Sequence, residues 1–150
     1  MTIQISRTDL ARNTRKVIEQ ARRNGPVMVE SYGEEQVAIM DIIDYRLLRA
    51  AGSWEPDPSA PHTDPDAIPV GLATDEVEKG LEAADGNLQA LWNLVIGTYL
   101  DTNISLGRAA LLLEISPFEL QDRLNRLDLP IRLGSRTIEE ARLEIEAFNR

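Results

Sequence analysis

At 150 residues the chain has room for one ordinary domain or two small ones, and too little for a large enclosed catalytic architecture. Its 43% hydrophobic and 27% charged residues are a globular composition, which excludes disorder throughout, and the lack of cysteine excludes disulfides, thiolate metal sites and cysteine nucleophiles together. The net charge of −9 argues against nucleic-acid binding only when taken whole: Lys/Arg against Asp/Glu stand eight to seven over residues 1–50, one to nine over 51–100 and seven to nine over 101–150.

In chain order, Thr2-Ile3-Gln4-Ile5 is a short β-prone start, after which Ser6 or Thr8 offers a hydroxyl to cap a helix. The spacing of Leu10, Thr14, Val17, Ile18 and Ala21 predicts one helix over Thr8–Arg23, with Arg12, Arg15, Lys16, Arg22 and Arg23 on its other side, broken by Glu19. Asn24-Gly25-Pro26 stops it. Val27-Met28-Val29 and Val37-Ala38-Ile39-Met40 then read as two strands around Ser31-Tyr32-Gly33-Glu34, and a short helix from Ile42 to about Ala50 completes a β-α-β-β-α module over residues 1–51. So small a module buries little apolar surface, and a homodimer is expected.

The run Ile5-Ser6-Arg7-Thr8-Asp9-Leu10-Ala11-Arg12-Asn13, followed in order by Gly25-Pro26-Val27-Met28-Val29, Tyr32-Gly33, Val37-Ala38-Ile39-Met40 and Asp44-Tyr45, resembles the Phd/YefM antitoxin family over the first third of the chain. The resemblance implies a dimer whose N-terminal strand and first-helix start meet operator DNA, through Arg7, Thr8, Arg12, Asn13 and Lys16, while later residues hold a protein toxin. Ala11 and Glu30-Ser31 stand where the family often carries basic residues, which implies fewer phosphate contacts. Without the resemblance, the same basic stripe reads as a solvated helix face.

Five of the eight prolines fall between positions 56 and 69, among aspartates and without apolar periodicity, so residues 52–72 are expected to form an acidic, Pro-rich linker. Trp54 at its start is a candidate anchor for the toxin, or else a residue packed on the first module.

From residue 73 onward an all-α module is predicted. Helical signals resume at Thr74-Asp75-Glu76 and break at Asp85-Gly86-Asn87; Leu91, Trp92, Val95, Ile96, Tyr99 and Leu100 then form one broad apolar stripe. Ser105 caps a helix with Leu106, Ala109, Ala110 and Leu113 inward. Glu114-Ile115-Ser116 turns into another, with Ser116 as cap, Pro117 in the first turn, Glu119 closing a capping box, and Leu120, Leu124 and Leu127 buried. A last helix starts at Thr137 with Glu140 and places Ile138, Ala141, Ile145 and Phe148 inward.

Helix, three-residue turn, helix is a helix-turn-helix pattern. Ile104-Ser105-Leu106-Gly107-Arg108-Ala109-Ala110 through Ile115-Ser116-Pro117-Phe118-Glu119-Leu120 to Leu129-Pro130-Ile131 is similar to a short helix-turn-helix family associated with PIN-domain toxins, and the two resemblances together imply as partner either a PIN-domain ribonuclease or another toxin fold that Phd-type antitoxins neutralise. Glu114 stands at the turn position where such motifs commonly carry glycine, and would bear any positive φ required there. The second helix is expected to expose Glu119, Gln121, Asp122, Arg123, Asn125 and Arg126, whose charges cancel; that favours a scaffold or protein-binding surface over DNA readout by Arg108, Arg123 and Arg126.

His62 is the only histidine and sits among the linker prolines, and the carboxylates Asp64, Asp66, Asp75, Glu76 and Glu78 lie in the linker or at a helix start, where they favour the dipole. A non-enzymatic protein with no metal and no cofactor is expected. No apolar run approaches membrane-spanning length and no N-terminal apolar leader is present, so a cytoplasmic location is expected. The functional expectation is a type II antitoxin that also represses its own operator; the alternative is a dimeric protein-interaction adaptor without DNA binding.

Overall fold

The computed structural model describes residues 2–55, 73–101, 104–131 and 142, and within them the protein is α+β. The elements run β1 (Ile3–Ser6), α1 (Arg7–Arg12), α2 (Thr14–Asn24), β2 (Val27–Ser31), β3 (Glu34–Ile39), α3 (Ile42–Ser53), α4 (Thr74–Ala83), α5 (Leu88–Leu100), α6 (Leu106–Leu112) and α7 (Pro117–Arg126). They divide into two compact units, Met1–Tyr45 and Arg46–Arg150. The Pro-rich stretch with His62, Asp64 and Asp66, and the last helix predicted from Thr137, lie outside the described residues.

In the first unit β1 pairs parallel to β2, with Ile3 opposite Val27 and Ile5 opposite Val29, and the two helices between them form the crossover that parallel pairing requires. Alternate strand residues meet the α2 face: Val17, Ala21 and Val27 are buried, with Ile3, Ile5, Leu10 and Ile39 packed around them. β2 and β3 are antiparallel, and Ser31 opposite Glu34 leaves Tyr32-Gly33 as a two-residue turn. Their φ values of 55° and 80° are the paired positive angles of a type I′ hairpin, whose twist matches that of the strands. The register shifts between Val29 opposite Val37 and Glu30 opposite Glu35, so Gln36 is the extra residue of a bulge on β3.

The single helix expected over Thr8–Arg23 is two. It starts at Arg7, with Ser6 Oγ accepting from the Asp9 amide at 3.1 Å, and breaks at Asn13, whose φ and ψ of −127° and 33° are not helical. Beside the break Thr14 Oγ1 donates to the Leu10 carbonyl at 2.8 Å, a bond that Thr98 also makes, to Leu94 at 2.7 Å, within the unbroken α5. Asn13 N to Asp9 O and Val17 N to Asn13 O, at 2.9 and 3.0 Å, carry the chain through the bend. After it Ile18, expected inward, is 48% exposed.

The second unit is helical. Trp92, Val95, Ile96 and Tyr99 of α5 are buried, as are Leu106, Ala109, Ala110 and Leu113 around α6 and Leu120 and Leu124 of α7; Leu47 and Ala50 of α3 are also buried. Ser105 and Ser116 cap α6 and α7, accepting from the amides of Arg108 and Glu119 at 3.1 Å each. α6 ends with Ile115 N on Ala110 O and Glu114 N on Leu111 O, at 3.1 and 3.2 Å, with Glu114 at φ 57°: a Schellman motif. α7 ends in the same way, with Leu129 N on Leu124 O, Asp128 N on Asn125 O and Asp128 at φ 57°. Gln89 Nε2 donates to the Arg46 carbonyl at 3.1 Å and Tyr99 Oη to that of Pro130 at 3.1 Å, which fastens α5 to chain segments on both sides of it in sequence. Among the described residues no helix is long and apolar enough to cross a membrane.

Candidate nucleic-acid interface

The five residues implicated in DNA contact are all exposed, and they divide between two places on the first unit. Arg12, Asn13 and Lys16 come together at the bend between α1 and α2, where with Thr14, Arg15 and Glu19 they line a shallow depression of about 480 Å³. Arg7 instead lines a groove of about 460 Å³ with Leu10, Ala11, Val29, Gln36 and Val37. Thr8, exposed in the first turn of α1, lines neither.

Arg12, Arg15 and Lys16 stand at i, i+3 and i+4, the spacing that helical geometry brings to one face, and the bend at Asn13 leaves the three together. Arg15 belongs to the depression although it was not among the candidate contacts. Its neighbours Arg12 and Lys16 were, and the signal that joins it to them is their i, i+3, i+4 spacing.

The electrostatics of α2 differ between its ends. Towards the C-terminus Arg23 Nε lies 3.5 Å from Glu19 and Arg22 Nε 3.8 Å from Asp41. At the bend, Arg12, Arg15 and Lys16 hold no ion pair among the described residues, and neither does Arg7. Glu19, the one carboxylate of the depression, already faces Arg23. Three cations therefore share a small solvent-facing surface whose only acid is partly neutralised, which suits a polyanion. The start of α1 contributes less: Asp9 stands in its first turn and accepts from Ser6 Oγ at 2.7 Å, so the chain's own carboxylate occupies the anion-favouring end.

No family model, curated protein or solved structure matches this chain. The remaining candidates are therefore weighed on their own geometry.

Arg123 and Arg126 of α7, expected on its exposed side, are drawn in. Arg123 Nε and Nη2 both donate to Glu119 Oε1, at 3.1 and 3.0 Å, and only 11% of its side chain is exposed; Arg126 is 14% exposed, with Asp122 at 4.0 Å. The i,i+4 acids hold the guanidinium groups while the aliphatic stems lie along the helix. The same use of Glu119 replaces the capping-box role expected of it. Arg108 is half-buried, and burial lowers its pKa from the ordinary arginine value. These three arginines do not make a basic reading face.

Trp54 is half-buried, its indole Nε1 donating to Asp101 Oδ1 at 2.9 Å just beyond α5. Its ring packs where Gly97 leaves α5 without a side chain; a Cβ there would stand 3.8 Å from Trp54 Cδ1. The packing partner is α5, not the first module that the sequence suggested. Among the described residues no group of His, Asp and Glu is arranged to hold a metal ion.

Proposed function

We propose that the chain is the antitoxin of a type II toxin-antitoxin pair: a homodimer that binds operator DNA through the first unit and holds a protein toxin, a PIN-domain ribonuclease by the second resemblance, through residues beyond it. The observation that carries the DNA part is the cluster of Arg12, Arg15 and Lys16 beside Asn13, exposed and without ion pairs among the described residues, whereas Arg22 and Arg23 at the far end of α2 are paired. Exposed cations with no carboxylate partner leave their charge available to phosphate. Dimerisation is supported by the small core of the first unit together with large apolar side chains left in solvent, Val37 at 57% exposure, Ile42 at 55% and Ile18 at 48%.

Fluorescence anisotropy with a labelled duplex from immediately upstream of the chain's own gene tests the reading. Saturable binding is expected, with log K falling by about 0.9 per log unit of salt for each phosphate neutralised. Arg12→Ala with Lys16→Ala should lower affinity at every salt concentration and flatten that slope by about 2 per protomer, roughly 4 for the homodimer. Absence of saturable binding at about 50 mM salt refutes operator binding and leaves a dimeric protein-interaction adaptor in its place, whereas a double variant that binds as wild type does refutes the cluster at the Asn13 bend as the contact.

A further inference from the structure

Two dipeptides in the chain place glycine after Asn or Asp, Asn24-Gly25 and Asp85-Gly86. Because glycine has no Cβ, its backbone nitrogen can reach the carbonyl carbon of the preceding side chain and close a cyclic imide. By leaving-group chemistry Asn24 is the faster of the two, since it expels ammonia whereas a carboxyl group must give up its oxygen as water. The fold reverses that order. Asn24 is the last residue of α2, and Gly25 after it is buried. Ring closure there takes Asn24 out of its helical backbone and Gly25 out of its buried place. Asp85 and Gly86 are both exposed, in the turn between α4 and α5. Their φ values are 56° and 69°, so Asp85 holds a left-handed angle that L-residues adopt only under constraint. The flanking amides are bonded, Asp85 N to Glu82 O at 3.0 Å and Asn87 N to Ala84 O at 3.1 Å. The Gly86 amide, the nucleophile of ring closure, holds no hydrogen bond among the described residues, and the Asp85 carboxylate holds no ion pair among them. A Cβ built at Gly86 would meet nothing within 4 Å, so the approach is open.

We propose that Asp85-Gly86 is the site at which the folded chain isomerises spontaneously to an isoaspartyl link, and that the change releases the start of α5. The Gly86 nitrogen bonds to Asp85 Cγ as the Cγ–OH bond of the carboxylic acid form breaks, and the hydroxyl leaves as water with the Gly86 amide proton. Water then adds to the main-chain carbonyl carbon of Asp85, whose bond to the Gly86 nitrogen breaks. The nitrogen stays on Cγ and the main-chain carbon becomes a free carboxyl group, so that no atom is gained or lost overall. The backbone now runs through Cβ and is one carbon longer, immediately ahead of Asn87. Asn87 caps α5, its Oδ1 accepting from the Gln89 amide at 2.9 Å, and Gln89 Nε2 in turn donates to the Arg46 carbonyl at 3.1 Å. Lengthening the turn displaces that cap, and a displaced cap leaves the first amides of its helix without an acceptor. This end of α5 is already the weaker one, because Gln89 Oε1 is buried and accepts no hydrogen bond among the described residues.

The test ages the full chain at neutral pH and growth temperature over weeks, folded and in strong urea, with Asp85→Glu aged alongside. Glutamate keeps the charge, but its extra methylene group takes the carboxyl carbon out of reach of the same ring. The site is exposed, so the fresh variant should melt with wild type. Electron-transfer fragmentation of the digested chain locates isoaspartate, and deamidation at Asn24 shows as a gain in mass. In the folded chain isoaspartate is expected at residue 85 ahead of any change at Asn24; in urea the order should reverse; and Asp85→Glu should form none at residue 85. The isomerised chain, separated by chromatography, should exchange the amide hydrogens of Gln89 and Ala90 faster than the fresh chain does. Its ratio of folded to unfolded molecules should fall about 5-fold, the effect of a lost helix cap. Reaction at Asn24 first in the folded chain, or the same order folded and unfolded, overturns the assignment. So does a folded chain that stays unchanged at residue 85. Isoaspartate at residue 85 with exchange at Gln89 and Ala90 unaltered overturns the release of α5.

Discussion

Replacing Glu114 by glycine should make the helical unit more stable, although it removes no contact with the core. Glu114 sits at φ 57° after α6, where Ile115 N and Glu114 N close back on Ala110 O and Leu111 O. That motif demands a left-handed residue, and holding an L-side chain there costs about 1–2 kcal/mol. Glycine adopts the angle without strain but loses more freedom on folding, which takes back about 0.4–1 kcal/mol. The expected net gain is therefore about 0.5–1 kcal/mol, or roughly 2–6 °C in the melting midpoint of a unit this size. Urea unfolding followed by far-ultraviolet circular dichroism measures it directly. Glu114→Ala is the control, since it removes the carboxylate and keeps the strained L-residue, and it should gain little. A glycine variant that unfolds at or before wild type, or an alanine variant that gains as much, would refute the backbone explanation.

Trp54→Phe keeps an aromatic ring over Gly97 but deletes the indole N–H that reaches Asp101, and should cost about 1–2 kcal/mol, read as a lower urea midpoint at unchanged m-value. Leu120→Ala empties a wholly buried position in α7 and should cost about 2–5 kcal/mol in the same assay; a loss under ~1 kcal/mol would mean that α7 is not packed as described. Gly33→Ala has open space for its methyl group and a φ of 80°, so any loss comes from backbone strain alone, about 1 kcal/mol, and amide hydrogen exchange in β2 and β3 should rise together.

Elements fixed by near neighbours were legible in the sequence. Ser105 and Ser116 cap the helices they precede, the stripe of Trp92, Val95, Ile96 and Tyr99 is buried, and the positive φ at Glu114 follows from a helix that must end before Ser116 can cap the next. Tyr32-Gly33 reads as a hairpin because the two strands flanking it need a tight turn. What the pattern concealed depends on where one polar side chain goes. The Thr14 hydroxyl fits a helical stripe as well as it fits a bend, since its bond to the Leu10 carbonyl has the same form as that of Thr98 to Leu94 inside the unbroken α5. Trp54 meets Asp101, a residue 47 positions later, and no local window contains both.

Charge shows the same limit in its sharpest form. Over residues 1–50 bases and acids nearly balance, and within α7 they balance completely, so counting predicts two neutral surfaces. Geometry moves them in opposite directions. In the first unit Glu19 and Asp41 are taken up by Arg23 and Arg22, which leaves the excess of cations at the Asn13 bend; in α7 Glu119 and Asp122 draw Arg123 and Arg126 inward, which leaves the excess of anions outside. Three of the four pairs follow from the i,i+4 reach between an acid and an arginine, and the Arg22–Asp41 pair instead joins α2 to the residues just after β3. A chain of net charge −9 thus keeps a local excess of exposed cations at the Asn13 bend.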